Sequence, residues 1–384
     1  MRTQNRIFSR RELLQRTGAA AQMAALSATF RGAWPQTRYS LPGLYPGRVV
    51  GIKHSAASVR MAYQAEPIRD MVRAGLKELT GAPDAVTAWK QLFGPEDVVG
   101  VKVNPNGIEQ IVSSPAALNE ILQGLRSAGV SPGSIVVYER YRNLLNRISG
   151  WLPDWVKQES AAWDYTADQT GLSYNPSNLS GITGYNANFY VDCPEFLNSG
   201  YSPRNPAQTR SYVANAVTKF TKIVNLSVLK DHQASGFTLG LKNLCQGMVN
   251  NVNRAHPDVT GPGNYLNQFI PLVVGQSWIR NKVVLSIVDG THGLWNAGPT
   301  GKPQFVWEHN TMYFATDVVA CDTIAAKAID AQRILAGLPP EAKSGADDWD
   351  RYDFRQPDHI EKAGQAGLGV WQSDRLDYRP IAIG

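Results

Sequence analysis

The chain has 384 residues, 43% of them apolar and 18% charged, with a formal net charge of +6. That length supplies a core large enough to fold without staples. Three widely spaced cysteines (193, 245, 321), with no Cys-x-x-Cys, disfavour a disulfide framework, a zinc ribbon and an iron–sulfur cluster. The positive charge does not mark a nucleic-acid binder either, because five arginines against one acidic residue fall within residues 1–27.

Those first residues read as an address. Ser9-Arg10-Arg11-Glu12-Leu13-Leu14-Gln15 resembles the twin-arginine export motif, and an Ala-rich, mildly apolar stretch follows from Thr17 to Phe30. A stable membrane span needs ~20 apolar residues, so this stretch is too short to be an anchor. Small residues at Ala25 and Ser27 suit cleavage after position 27. The expectation is a signal peptide over 1–27, passage through the twin-arginine translocation machinery as a folded protein, and a periplasmic or other extracytoplasmic destination. Proteins exported this way often acquire a cofactor first, which leaves a metal ion or organic cofactor open.

Beyond the leader, Arg48–His54 reads as a strand through Val49, Val50 and Ile52. Ile68, Met71, Val72, Leu76 and Leu79 form a helical stripe over Pro67–Leu79, and Ala85–Phe93 suggests a second helix. Asp97–Val103 reads as a strand, broken sharply by Asn104-Pro105-Asn106-Gly107. Ser114 and Pro115 open a helix as N-cap and first residue, and Gly129 closes it. A strand at Ser134–Tyr138 completes a βαβ unit, whose strands should be parallel.

Residues 150–210 are rich in Asn, Gly, Pro, Ser and aromatics with little periodicity. They read as a long irregular insertion holding a short strand at Ala187–Val191. Regularity returns with buried strands at Lys222–Leu229 and Lys282–Val288, a helix at Phe269–Trp278 with Pro271 in its first turn, a short strand at Tyr313–Thr316 and a helix at Asp317–Ala331. The fold class is α/β, a mixed, largely parallel sheet flanked by helices. One domain spans about 28–340, and the tail 341–384 should wrap over the surface.

Three polar clusters each follow a predicted buried strand: Lys102-Val103-Asn104, Lys230-Asp231-His232 and Asp289-Gly290-Thr291-His292. Open parallel sheets bind ligands beyond the carboxyl ends of their strands, so the three should converge on one crevice. His232 beside Asp231, with Lys230 and Asp289 near, could act as a proton-transfer group or a metal ligand; the plainer reading is a pair of solvated turns. In Gly236–Leu244, Thr238 and Lys242 share a helix face, with Asn243 alongside. A glycine-rich helix start with these groups suits a phosphate or carboxylate, or else a packing helix whose Lys pairs with an acid. His232, His256 and His292 could together hold a metal, although no local spacing supports it. Asp317 and Asp322 fit a helix start, where an acidic charge is favourable.

Taken in order, Val99-Gly100-Val101-Lys102-Val103-Asn104, Leu229-Lys230-Asp231-His232, Thr238 to Leu244, Ile287-Val288-Asp289-Gly290, Gly298-Pro299 and Thr316 to Asp322 resemble the domain of unknown function 362 family. The resemblance covers about residues 47–335. It implies an α/β domain with no settled reaction, and it marks Lys102, Asn104, Lys230, His232, Thr238, Lys242, Asn243, Asp289, Asp317 and Asp322 as positions to watch. Asp231 departs from the small hydroxyl residue common there. Some relatives carry ferredoxin-like cysteines, which this chain lacks, so an iron–sulfur role does not transfer. Three functions compete: an enzyme acting on an anionic small molecule, a non-catalytic ligand carrier, and a partner-binding protein using the aromatic insertion.

Overall fold

The computed structural model describes residues 36–162, 184–197, 201–256, 264–346, 348–349 and 355–384. The arginine-rich residues 1–27, expected to form a signal peptide, and residues 163–183 of the irregular stretch lie outside the described residues. In chain order, β1 (Arg48–Lys53) leads through the short hairpin of β2 (Ser58–Val59) and β3 (Ala62–Tyr63) into helices α1 (Ala65–Thr80) and α2 (Ala85–Leu92). Next come β4 (Val99–Lys102), α3 (Pro115–Ser127), β5 (Ile135–Tyr141) and β6 (Lys157–Ala162). An outlying antiparallel pair, β7 (Tyr185–Asp192) and β8 (Arg210–Ala214), precedes β9 (Lys222–His232), the two-residue β10 (Gly236–Phe237), α4 (Leu239–Met248) and α5 (Leu266–Val274). β11 (Val283–Leu294), β12 (Val306–Ala315), α6 (Val318–Leu335), α7 (His359–Gln365) and β13 (Asp377–Ala382) finish the chain.

The main sheet has nine strands in the order β13-β1-β12-β11-β9-β4-β5-β6, with β10 paired to the end of β9. Neighbours pair in parallel throughout, except at β12, which runs against both β1 and β11, and at β10. This is the expected mixed, largely parallel α/β sheet. β11 is buried along its whole length and β9 from Ile223 onward, because helices cover both faces. Side-chain alternation divides each strand between two cores. Val50, Ile52, Val99, Val101, Ile135 and Val137 pack with α1, α2 and α3. Val49, Val136, Tyr138 and Ile223 pack on the other side with α4, α5 and α6.

Local signals set several helix ends. Pro115 occupies the first turn of α3, and the Asp84 carboxylate accepts the Thr87 N–H to cap α2. Ser114 sits at the N-cap of α3 without a side-chain cap bond; its backbone N–H donates to Asp289 instead.

Four segments differ from the sequence reading. β9 and β11 do not stop before their polar clusters. β9 continues to His232 because β10 folds back on it, pairing Gly236 with His232 and Phe237 with Asp231. β11 continues to Leu294 because β12, ten residues long rather than four, pairs with it across a bulge near Gly290. The helix expected at Phe269–Trp278 begins at Leu266, so Pro271 lies inside it, and a separate turn covers Ser277–Arg280. The tail, expected to wrap over the surface, carries β13, which pairs in parallel with β1, and α7, which buries His359 and Ile360. Among the described residues, no helix is long and apolar enough to cross a membrane.

Candidate functional site

Because β4, β5 and β9 run in parallel, their carboxyl ends meet at one edge of the sheet. A cavity of about 230 Å³ lies there, closed by α4. β4 and the turn after it bring Lys102, Asn104 and Asn106; β5 brings Glu139 and Tyr141; β9 brings Lys230 and His232; Thr238 and α4 bring Lys242, Asn243 and Gln246; His256 and Pro299 complete one wall. Eight of the residues singled out in the sequence therefore do converge, on a wall rich in cationic groups.

Each cation is held differently. Lys102 Nζ donates to Glu139 Oε2 at 2.7 Å and to Asn243 Oδ1 at 3.2 Å, with both charged side chains nearly inaccessible. Lys230 Nζ donates to Asn104 Oδ1 at 3.0 Å and to the Asn106 carbonyl. Burial, reinforced by the nearby Lys242 charge, pushes the Lys230 ammonium down to about 7, while its two carbonyl acceptors favour the charged form. Lys242 is only 5% exposed, and among the described residues nothing hydrogen-bonds or ion-pairs with it. Burial pushes it down to about 7 as well. Thr238 Oγ1 and Gln246 Nε2 are buried there without a partner. Unmet donors of this kind cost free energy until something accepts from them.

α4 is fixed from below. Asn225 Nδ2 on β9 donates to the Gly240 carbonyl at 3.1 Å, and Asn243 Nδ2 donates to Asn225 Oδ1 at 2.8 Å. The two oxygens of Asp322 accept from the Gly240 and Leu241 N–H groups, each at 2.8 Å. The helix start expected to receive a ligand anion is thus already occupied by a carboxylate of the protein itself. Burial raises that carboxyl to about 7 against the pull of those two N–H groups.

His232 presents a donor. The Ala234 N–H donates to His232 Nδ1 at 3.0 Å, so Nδ1 keeps its lone pair. Burial first, then the Lys242 charge, holds the ring well below its ordinary pKa. A neutral ring with a bare Nδ1 carries its proton on Nε2. This favours a hydrogen-bond donor over the base or metal ligand expected from the sequence.

Other anticipated residues lie elsewhere. Asp231 points to the opposite side of β9 from Lys230 and His232, as strand alternation requires, and faces the buried Arg355 at 3.9 Å. Asp289 accepts the Ser114 and Thr291 N–H groups at 2.9 and 3.1 Å and stitches β11 to α3. His292 contacts Ser58 Oγ at 2.7 Å and the Gln110 carbonyl at 3.0 Å, well apart from the cavity lining. Asp317 caps α6 and accepts the Gly47 and Val370 N–H groups at 3.0 Å each. The proposed metal trio is not assembled: His232 and His256 have ring centroids 6.0 Å apart, and His292 is not with them. Among the described residues no three His, Cys, Asp or Glu side chains gather where they could hold a metal ion.

Sequence reasoning missed Glu139, Tyr141 and Gln246. Glu139 had a usable signal. It follows the apolar run Ile135–Tyr138 within β5, as the recognised clusters follow theirs. Gln246 lies one helical turn beyond Lys242 on the same face.

The family model described as Domain of unknown function (DUF362) matches residues 99–327, more than half of the chain, from the first residue of β4 into α6. No curated protein matches the chain.

Proposed function

The chain belongs to the domain of unknown function 362 family, and from there we propose that it binds a small anionic molecule in the cavity at the ends of β4, β5 and β9. One observation carries this reading: Lys242 is buried in the cavity wall with no acceptor or counter-charge among the described residues. A buried ammonium without a partner is costly and is driven towards its neutral form. A carboxylate or phosphate in the cavity removes that cost. It also supplies acceptors for Thr238 Oγ1 and Gln246 Nε2, which have none. Lys230 and the Nε2–H of His232 add further donors, whereas Lys102 is already matched by Glu139.

The test is thermal unfolding and calorimetry of the purified chain with inorganic phosphate and succinate. A bound anion stabilises the folded state in proportion to the logarithm of one plus its concentration over its dissociation constant. Stabilisation that is weakened in His232→Ala and lost in Lys242→Met and Lys230→Met supports the reading. Equal shifts in wild type and all three variants would remove its basis.

The same proposal places the protein outside the cytoplasm, on the strength of Arg10-Arg11 and the apolar run behind them. Fractionation of cells expressing the full chain checks this. Arg10→Lys with Arg11→Lys should strand the protein in the cytoplasm with its leader uncleaved. Unchanged export of that double variant would refute the twin-arginine route.

A further inference from the structure

We propose that Lys242 is a nucleophile that condenses with the carbonyl carbon of a small anionic aldehyde or 2-oxo acid to form an imine in this cavity. The proposal rests on the anion-binding reading and narrows it to a substrate class. Its geometric basis is the contrast between the three cavity lysines. Lys102 is locked to Glu139 and Asn243, and Lys230 is held by two carbonyl oxygens. Lys242 alone of the three faces the cavity with nothing to accept from it among the described residues. A lysine acts as a nucleophile only as the free amine, which burial and neighbouring cations favour. The first condition holds here, since burial brings this amine to about 7.

The surrounding groups fit the rest of such a substrate. His232 Nε2–H, Thr238 Oγ1 and Gln246 Nε2 are uncharged donors for a carboxylate or phosphate. Lys230 is the proton carrier. The Lys242 Nζ lone pair forms the N–C bond as the carbonyl π bond breaks, and the carbonyl oxygen takes a proton from the Lys230 ammonium. The attacking nitrogen returns a proton to Lys230. A second proton from Lys230 lets the C–O bond break and water leave, and the iminium nitrogen returns that proton too. The sum is amine plus carbonyl giving imine plus water, with no change in oxidation state.

The experiment is reductive trapping on the full chain. Pyruvate and 2-oxoglutarate are each added with sodium cyanoborohydride, and adducts are located by peptide mass spectrometry. Lactate serves as the carbonyl-free control. The expected result is one adduct per chain on Lys242, absent with lactate and absent in Lys242→Arg. Its formation rate should rise through about pH 7, where an exposed lysine would require a far more alkaline solution. Lys230→Met should slow trapping at least tenfold while leaving the adduct on Lys242. An adduct scattered over surface lysines, or none, overturns the proposal. Thermal stabilisation by phosphate, measured on the same sample without reductant, separates the two failures. If phosphate stabilises the chain through Lys242 but no carbonyl is trapped, only this inference falls. If neither occurs, the anion reading falls with it.

Discussion

A Cβ placed on Gly247 would lie 1.7 Å from Cε of Lys102. The Lys102 side chain therefore crosses α4 at a position where the helix has no side chain, and this contact lets its ammonium reach Glu139 and Asn243. Gly247→Ala should either push Lys102 out of its bonds or shift the helix. We expect a loss of about 1–3 kcal/mol in urea unfolding, together with weaker stabilisation by phosphate. Wild-type behaviour in both measurements would mean that Lys102 does not take this path.

The Lys102–Glu139 pair itself makes a second prediction. The two side chains are 3% and 8% exposed. Glu139→Gln leaves a buried ammonium without its counter-charge and should cost about 3–5 kcal/mol. Replacing both partners, as Lys102→Met with Glu139→Leu, removes both charges together and should recover much of the loss. A cycle in which the single changes add without recovery would show that the two residues do not act as a pair.

Stability should rise with pH just above neutrality. Lys230 and Lys242 lose their protons near 7 in the folded chain and near the ordinary lysine value when unfolded. Above 7 the unfolded state thus holds more protons, so stability increases by at most about 1.4 kcal/mol per pH unit for each lysine. Below 7 the folded chain carries both charges and the gain is absent. Buried thiols oppose the trend above about 8.5, because burial holds Cys193, Cys245 and Cys321 protonated in the fold while the unfolded chain releases those protons. The window to examine is therefore pH 7 to about 8.5. Lys242→Met should flatten the slope there and raise stability at pH 7. An unchanged slope would contradict a buried, proton-poor Lys242.

Asp322→Asn should be more harmful in mild acid than in mild alkali. Raised to about 7, the carboxyl keeps its proton in the fold at pH 5 while the unfolded chain releases it, so the wild-type chain loses stability as pH rises from about 4 to 7. The amide does not titrate, and it offers only one acceptor oxygen to the Gly240 and Leu241 N–H groups. The variant should lose about 1–2 kcal/mol at pH 5 and less at pH 8, read from denaturant midpoints. A loss independent of pH would place the titration elsewhere.

Much of the sheet was legible because β9 and β11 are buried on both faces, and such strands read as unbroken apolar runs. The directions of β4 and β5 followed from the βαβ rule, and the crevice from where parallel strands end. What escaped was where the strands stop. Lys230, Asp231 and His232 look like a loop by composition, and distant pairings keep them extended: the two-residue fold-back of β10 and the pairing of Lys230 with Leu294 of β11. Once they are known to be extended, alternation alone removes Asp231 from the site. The strand within the tail went unread for a related reason. Asp377–Ala382 contains Pro380 and two charged residues, a poor central strand but an acceptable edge strand. Asp317 and Asp322 were noticed as acids at a helix start. The distant backbone groups they serve, at Gly47, Val370, Gly240 and Leu241, leave no local trace in sequence.

The pairing of β13 with β1 also sets an order of events in synthesis. Arg48 and Asp377, opposite each other at its start, are 329 positions apart. Contacts at such separation form slowly, because the whole intervening loop must close. Until Asp377–Ala382 has been made, a nascent chain carries β1 with a bare row of backbone donors and acceptors, open to pairing with another copy. The last strand, blunted by Pro380, covers that row, so a molecule interrupted late in translation should be far more prone to self-association than a finished one.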